Sequence, residues 1–183
     1  YLQLINKIFL VYKSKIENKI GYFTTELVKP ISPRYFGDKN KILCVNSLSS
    51  ILRILLPENQ SYEKIYMSLN NLLNCFDESN WPTHYLNWEL ELINNLGFGF
   101  ELNSKILSND DNQKICNISI DNIVYKIPTF LIKKNNIEID HKDIHNGLLF
   151  SRSLMENKFF NPNNIKFPYS RIMLERSFLW KIS

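Results

Sequence analysis

The chain has 183 residues, of which 44% are hydrophobic and 22% charged, with a formal net charge of +4. That is the composition of a globular protein, so disorder is not the default. No run reaches the roughly 18 apolar residues that cross a bilayer, and the apolar start YLQLINKIFLVYKSK carries Lys7 within it and no small-residue cleavage site after it, unlike a signal peptide.

The first predicted elements are strands. KIFLVYKSK and GYFTTELVK are β-branched and aromatic and are separated by a polar connection, the pattern of a hairpin. In the second, Tyr22, Thr24, Glu26 and Val28 alternate with Phe23, Thr25 and Leu27. Two strands alone are marginal in water, so this pair needs further strands or the rest of the chain to cover it. KPISPR then marks a boundary near residues 30–37.

Helices follow. KILCVNSLSSILRILLP spaces Leu48, Ile51 and Leu55 helically and ends before Pro57. SYEKIYMSLNNLLNCFD starts at Ser61 and carries Ile65, Leu69, Leu72, Leu73 and Phe76 on one stripe. The third helix opens at Asn80, a suitable N-cap, with Pro82 in its first turn. Trp81, Tyr85, Trp88, Leu92 and Leu96 form one stripe, and Leu86, Leu90 and Ile93 a second. A helix apolar on two sides is buried, which makes this one the centre of a bundle. Gly97 stands where a left-handed residue would end it, and Phe98 and Phe100 pack back.

Residues 102–126 read as loop and short strands, with ICNISIDNIVYKI alternating and SNDDNQ as a turn. IPTFLIKK reads as a brief helical turn. DHKDIHNGLLFSRSLMENKFF is a helix with Ile144, Leu148, Leu149, Leu154 and Phe159 inward, NPNNIKFP breaks it, and YSRIMLERSFLWKIS is a terminal helix.

No constellation supports catalysis. There is no nucleophile elbow and no phosphate-binding glycine loop. Glu89 and Glu91 lie two residues apart on a helix and face different ways. Glu89, between the apolar stripes, reads as a structural carboxylate bonded by a neighbouring helix, because a buried charge must be paired. Cys44, Cys75 and Cys116 are odd in number and far apart, and read as thiols of a reducing cytoplasm. His141 and His145 share a helical face in HKDIH but lack a third ligand, and read as a solvated helix start. We therefore expect no enzyme, no metal and no cofactor.

Lys, Asn and Ile are heavily used, as in an A+T-rich codon pool, so the placement of charge says more than its total. Residues 1–41 hold eight Lys/Arg against three Asp/Glu, residues 42–125 four against ten, and residues 126–183 ten against five. Basic ends around an acidic middle suit a chain that touches a polyanion at both ends; solvated surface faces would give the same pattern.

The order of segments resembles the bacterial recombination mediator RecO family. The likeness is carried by LLPENQSYEKIYMSLNNLLNCFDE, by YLNWELELINNLGFGFEL, by IPTFLI and by PYSRIMLERSF. The second is the most specific, an aromatic-Glu-Leu helix followed at once by Leu-Gly-aromatic-Gly. Upstream, LQLINKIFLVYKSKIENKIGYFTTELVKP is similar to the last part of that family's OB-fold barrel. The first residue is Tyr rather than Met, which fits a chain lacking the earlier strands.

The resemblance implies a mainly α fold: residues 1–32 as the closing strands of an incomplete OB-fold, and residues 33–183 as a helical bundle domain. A small zinc-ribbon-like but cysteine-poor β insertion would lie around residues 101–127. Asn103, Ser104 and Lys105 stand where a first zinc-binding cysteine is expected, so the resemblance implies no zinc here. It implies a cytoplasmic, nucleoid-associated bacterial mediator of DNA repair and recombination. Such a protein binds single- and double-stranded DNA, anneals complementary strands, partners RecR and the acidic C-terminal tail of single-stranded-DNA-binding protein, and helps load RecA. The alternative is a helical protein-interaction module without direct DNA binding.

The DNA-contacting residues would be Lys13, Lys15, Lys19, Lys29, Arg34, Lys39 and Lys41. Tyr12, Tyr22 and Phe23 are free either to stack bases or to pack under the helices. For the acidic tail the resemblance implies Arg171, and with it Arg152 and Arg176, over an apolar floor of Leu154 or Phe178. Arg171 and Glu175 could instead pair as i,i+4 neighbours. The family often carries Arg just before the aromatic-Glu-Leu, where this chain has Leu86-Asn87.

Overall fold

The computed structural model describes residues 2–16, 20–99, 114–132 and 138–179. The described chain is mainly helical, with two small antiparallel hairpins. Strands β1 (Lys7–Lys13) and β2 (Tyr22–Lys29) precede helices α1 (Lys39–Leu55), α2 (Glu63–Asn74) and α3 (Trp81–Asn95). Strands β3 (Ile115–Ile120) and β4 (Ile123–Pro128) then lead to α4 (His141–Met155) and α5 (Tyr169–Ser177). Among the described residues no helix is long and apolar enough to cross a membrane.

Helix α3 is the centre, as its two apolar stripes require. It packs on α2 and α4, while α1 lies along α5. Trp81, Tyr85, Leu86, Trp88, Leu90, Leu92 and Ile93 are all buried. The helix starts at Asn80 without a bond from its side chain, and Pro82 fills the first turn. It ends in a Schellman closure: Phe98 N–H donates to Ile93 O at 3.2 Å and Gly97 N–H to Asn94 O at 3.1 Å. Gly97 supplies the left-handed φ of 92° that this closure needs. Phe98 packs edge-on against Phe159 at 4.7 Å, while Phe100 lies outside the described residues.

Helix α4 begins with a reciprocal cap in which Asp140 accepts from Asp143 N–H and Asp143 accepts from Asp140 N–H. Lys114 Nζ bonds both carboxylates, at 2.9 and 3.1 Å. Ile144, Leu148 and Leu154 face inward as expected, but Leu149 points to solvent and Phe150 takes the inner position. The helix runs on into a π-helical turn over Glu156–Phe160. Where α4 crosses α3, Gly147 allows close approach: a β-carbon there would meet Leu86 Cδ1 at 2.7 Å.

The hairpins differ in their surroundings. β3 and β4 join through Asp121 and Asn122, both at positive φ, in the twist-matched two-residue turn. Cys116, Ile118, Ile120, Tyr125 and Ile127 form its buried face beside α4, where Tyr125 meets Phe150. Residues 101–113, where the rest of the expected insertion falls, lie outside the described residues. β1 and β2 pair from Lys13↔Tyr22 to Ile8↔Leu27, with a bulge before Lys7↔Lys29. Among the described residues they form a two-stranded sheet with no third strand, so the described fold carries a hairpin there and not a recognisable barrel. The hairpin is moored at its base, where Asn6 Oδ1 accepts from Ile31 N–H at 2.8 Å and Ser32 N–H at 3.0 Å.

Candidate nucleic-acid interface

The bulge brings Lys7 opposite Lys29 at the base of the hairpin. Just beyond it, the short 3-10 turn Ser32–Tyr35 presents Arg34, and its Tyr35 is buried edge-on against Phe76 at 5.2 Å. The result is a cleft of about 320 Å³ lined by Lys7, Lys29, Arg34, Asn70, Asn74 and Asp77. Asp77 is its counter-charge, 3.7 Å from Arg34 and 3.9 Å from Lys41. Such solvated pairs contribute about 0–1 kcal/mol and open easily to a competing anion.

Lys39 and Lys41 stand in the first turn of α1, next to the positive end of the helix dipole, where cations are unfavourable. Asp38 offsets them by accepting from Asn40 N–H and Lys41 N–H at 3.0 and 3.1 Å. Lys13 and Lys15 lie at the far tip of the hairpin in a shallow recess with Gly21 and Tyr22. Seven strand residues at about 3.3 Å each separate tip and base by about 20 Å. Lys19 lies outside the described residues. Lys29, Arg34 and Lys41 are thus brought together, Lys13 and Lys15 form a second group, and Lys39 is exposed near the first.

Tyr12, Tyr22 and Phe23 are exposed at 52%, 61% and 59% and are not packed beneath the helices. Tyr12 and Phe23, opposed across the strands, hold their rings 5.1 Å apart. Sequence reasoning about the basic residues passed over Lys7. It meets Lys29 only because the register shifts between Lys7 and Ile8.

The residues expected at a partner-tail site have a different setting. Arg171 is fully buried and forms a two-pronged pair with Glu89, Nε to Oε1 at 2.6 Å and Nη2 to Oε2 at 2.9 Å. The same Nη2 donates to Leu148 O at 2.9 Å. Tyr85 OH donates to Glu89 Oε1 at 2.5 Å, Ser151 Oγ donates to Oε2, and Ser47 Oγ lies 2.8 Å from the Tyr85 hydroxyl. Glu89 is the structural carboxylate its position between two stripes suggests, bonded by α4 and α5. Burial works against the charge of Arg171, but Glu89, with Tyr85 and Glu175, more than offsets this and leaves the guanidinium above its ordinary value. Burial, and after it Glu89, pushes the Tyr85 hydroxyl and the Cys44 thiol well up.

Leu154 and Phe178 are also buried, Phe178 against Trp81 and beside His141. Glu175 lies 3.6 Å from Arg171 Nη1, so their i,i+4 contact is internal. Only Arg152 and Arg176 of this set reach water. Arg152 is half-buried and pairs with Glu156 and Glu175 at 3.0 and 3.1 Å, and Arg176 is exposed.

This helical domain, with a basic hairpin at its edge, belongs to the RecO family: residues 37–146, more than half of the chain, match the family model described as recombination protein O C terminal. The chain is 31% identical over 109 residues to the DNA repair protein RecO of Anaplasma marginale (strain Florida), covering 59% of this chain and 46% of that protein. To the DNA repair protein RecO of Ehrlichia chaffeensis it is 33% identical over 120 residues, covering 64% and 49%. To that of Roseobacter denitrificans it is 29% identical over 94 residues, covering 51% and 39%. The chain spans about half the length, or less, of these curated relatives. No solved structure gives a significant match.

Proposed function

We propose that this chain acts in bacterial DNA repair as a recombination mediator that binds DNA and recruits partners rather than turning over a substrate. The observation that carries the reading is the cleft in which Lys7, Lys29 and Arg34 converge at the base of a hairpin whose tip bears exposed aromatic rings. Three cations at one mouth suit successive phosphates of a flexible strand, and Tyr12, Tyr22 and Phe23 offer faces on which bases stack without regard to sequence. Lys13, Lys15, Lys19, Lys39 and Lys41 extend the track. Complementary single strands held this way can be annealed, and the same cations suit the phosphates of double-stranded DNA.

RecR and the acidic tail of single-stranded-DNA-binding protein are the partners the family likeness suggests, with RecA loading as the outcome. The tail would meet Arg152 and Arg176, the two basic groups within reach of solvent, while Arg171, Leu154 and Phe178 form the packed layer beneath them. The site of action would be the cytoplasm, at the nucleoid. Titration of labelled single strands should show affinity falling steeply with salt, with a log–log slope near −2 if three cations act at about 0.7 per phosphate.

A second reading, a helical interaction module that leaves DNA alone, is favoured by one observation: Asp77 already partners Arg34 and Lys41. A flat salt response, or no binding at low salt, would select it.

A further inference from the structure

The connection between α2 and α3 gathers three side chains of different chemistry. Cys75 caps the end of α2, Glu78 follows in the loop, and His84 lies in the first turns of α3. One donor atom from each, Sγ, a carboxylate oxygen and a ring nitrogen, falls within 4.8 Å of the others. His84 Nε2 and Glu78 Oε2 are 3.1 Å apart. Among the described residues this is the one group of three or more His, Cys, Asp or Glu side chains so disposed. We propose that Cys75, Glu78 and His84 bind a zinc-class divalent cation, with a solvent molecule completing the tetrahedron.

The geometry suits that ion. Zinc bonds of about 2.0–2.3 Å at tetrahedral angles set neighbouring donors roughly 3.3–3.8 Å apart. The three donors, none more than 4.8 Å from another, lie close to that range. Thiolate, imidazole and carboxylate together are the donor set that zinc takes, whereas calcium and magnesium want oxygen alone. Three protein ligands with the fourth position open to water is a familiar zinc arrangement, and here all three ligands reach solvent.

The backbone beneath is already fixed. Cys75 N–H donates to Leu72 O at 3.0 Å, Glu78 N–H to Cys75 O at 3.1 Å, and Trp81 N–H to Glu78 O at 3.3 Å. Phe76 is fully buried and Trp81 nearly so, their rings 5.4 Å apart, which anchors the loop between Cys75 and His84. An ion there would clasp α2 to α3 at the end of the central helix. The order Cys, two residues, Glu, five residues, His follows no familiar ligand spacing, which is why the sequence reads as metal-free.

The test is cobalt and zinc titration of the whole chain, with Cys75→Ser, His84→Gln and Glu78→Gln, and with His141→Gln as a control from the His141–His145 pair. We expect one ion per chain, a thiolate-to-cobalt charge-transfer band with tetrahedral visible bands, and a rise in Tm on adding zinc. Cys75→Ser should abolish the charge-transfer band and the zinc-dependent rise in Tm while retaining the helical circular dichroism, since Cys75 is partly exposed. His84→Gln and Glu78→Gln should weaken binding by more than the roughly 10–100-fold that outer-shell groups contribute. His141→Gln should change nothing. No stoichiometric uptake, or uptake that survives Cys75→Ser or disappears with His141→Gln, would overturn the assignment.

Discussion

The described residues form two hairpins of similar length, and they live in different environments. In β3–β4 one face is sealed by α4, with Ile118 and Ile127 entirely shielded from water. In β1–β2 both faces are open, and Phe9, Tyr12 and Phe23 are each more than half exposed. An isolated two-stranded sheet is marginal, so β3–β4 takes its stability from the helices, while β1–β2 is held at its base by Asn6 and Tyr35. Charge follows the same division. Glu89 and Arg171 are neutralised by each other in the interior, whereas Lys7, Lys13, Lys15 and Lys29 stand at the two ends of the open hairpin. The covered region makes the domain, and the uncovered one is left to make contacts.

The sharpest way to break this division is through the buried pair. Arg171→Ala should lower the unfolding free energy by about 3–5 kcal/mol, because it leaves Glu89 buried without its partner. Replacing both, as Glu89→Leu with Arg171→Met, should recover most of that loss in denaturant titration. Next in size, Ile127→Ala in the covered hairpin should cost about 2–5 kcal/mol. Phe23→Ala in the open one should stay within about 0.5 kcal/mol. Equal losses at Ile127 and Phe23 would show that the two hairpins are equally supported.

A smaller effect tests the start of α4. Asp140→Ala should cost about 1 kcal/mol through the lost cap. The Asp140 carboxyl is held down to about 2, first by the bond from Lys114 and next by the Asp143 N–H. Its folded value therefore lies below its unfolded one. The contribution is complete above about pH 4 and disappears as pH falls toward 2. Acid titration of Tm in the wild type and Asp140→Ala should converge across that window and stay parallel above it.

Much of the fold is legible in the sequence because the helices carry strong periodic signals. The double stripe of α3 and the glycine exit at Gly97 predict its burial and its end. Leu149 escapes such reasoning because helix period alone does not settle which flank of a stripe meets a neighbour, and Phe150 takes the inner place instead. The basic cleft is only half legible: Lys29 and Arg34 stand out as charges, but Lys7 joins them through a bulge that no composition reveals. Arg171 misleads for the opposite reason. A positive residue in a terminal helix suggests a surface, and only the packing of α5 against the Glu89 side of α3 shows it to be internal. Cys75, Glu78 and His84 converge through a loop whose path is set by buried Phe76 and Trp81, so their nearness is a property of the fold and not of spacing.

The measurement closest to the central claim combines Lys7→Ala, Lys29→Ala and Arg34→Ala in one chain and reads single-strand affinity across salt together with Tm. The account predicts an unchanged Tm, weaker binding to every sequence tried, and a salt slope shallower by about 2. Wild-type affinity and slope in the triple variant would contradict it.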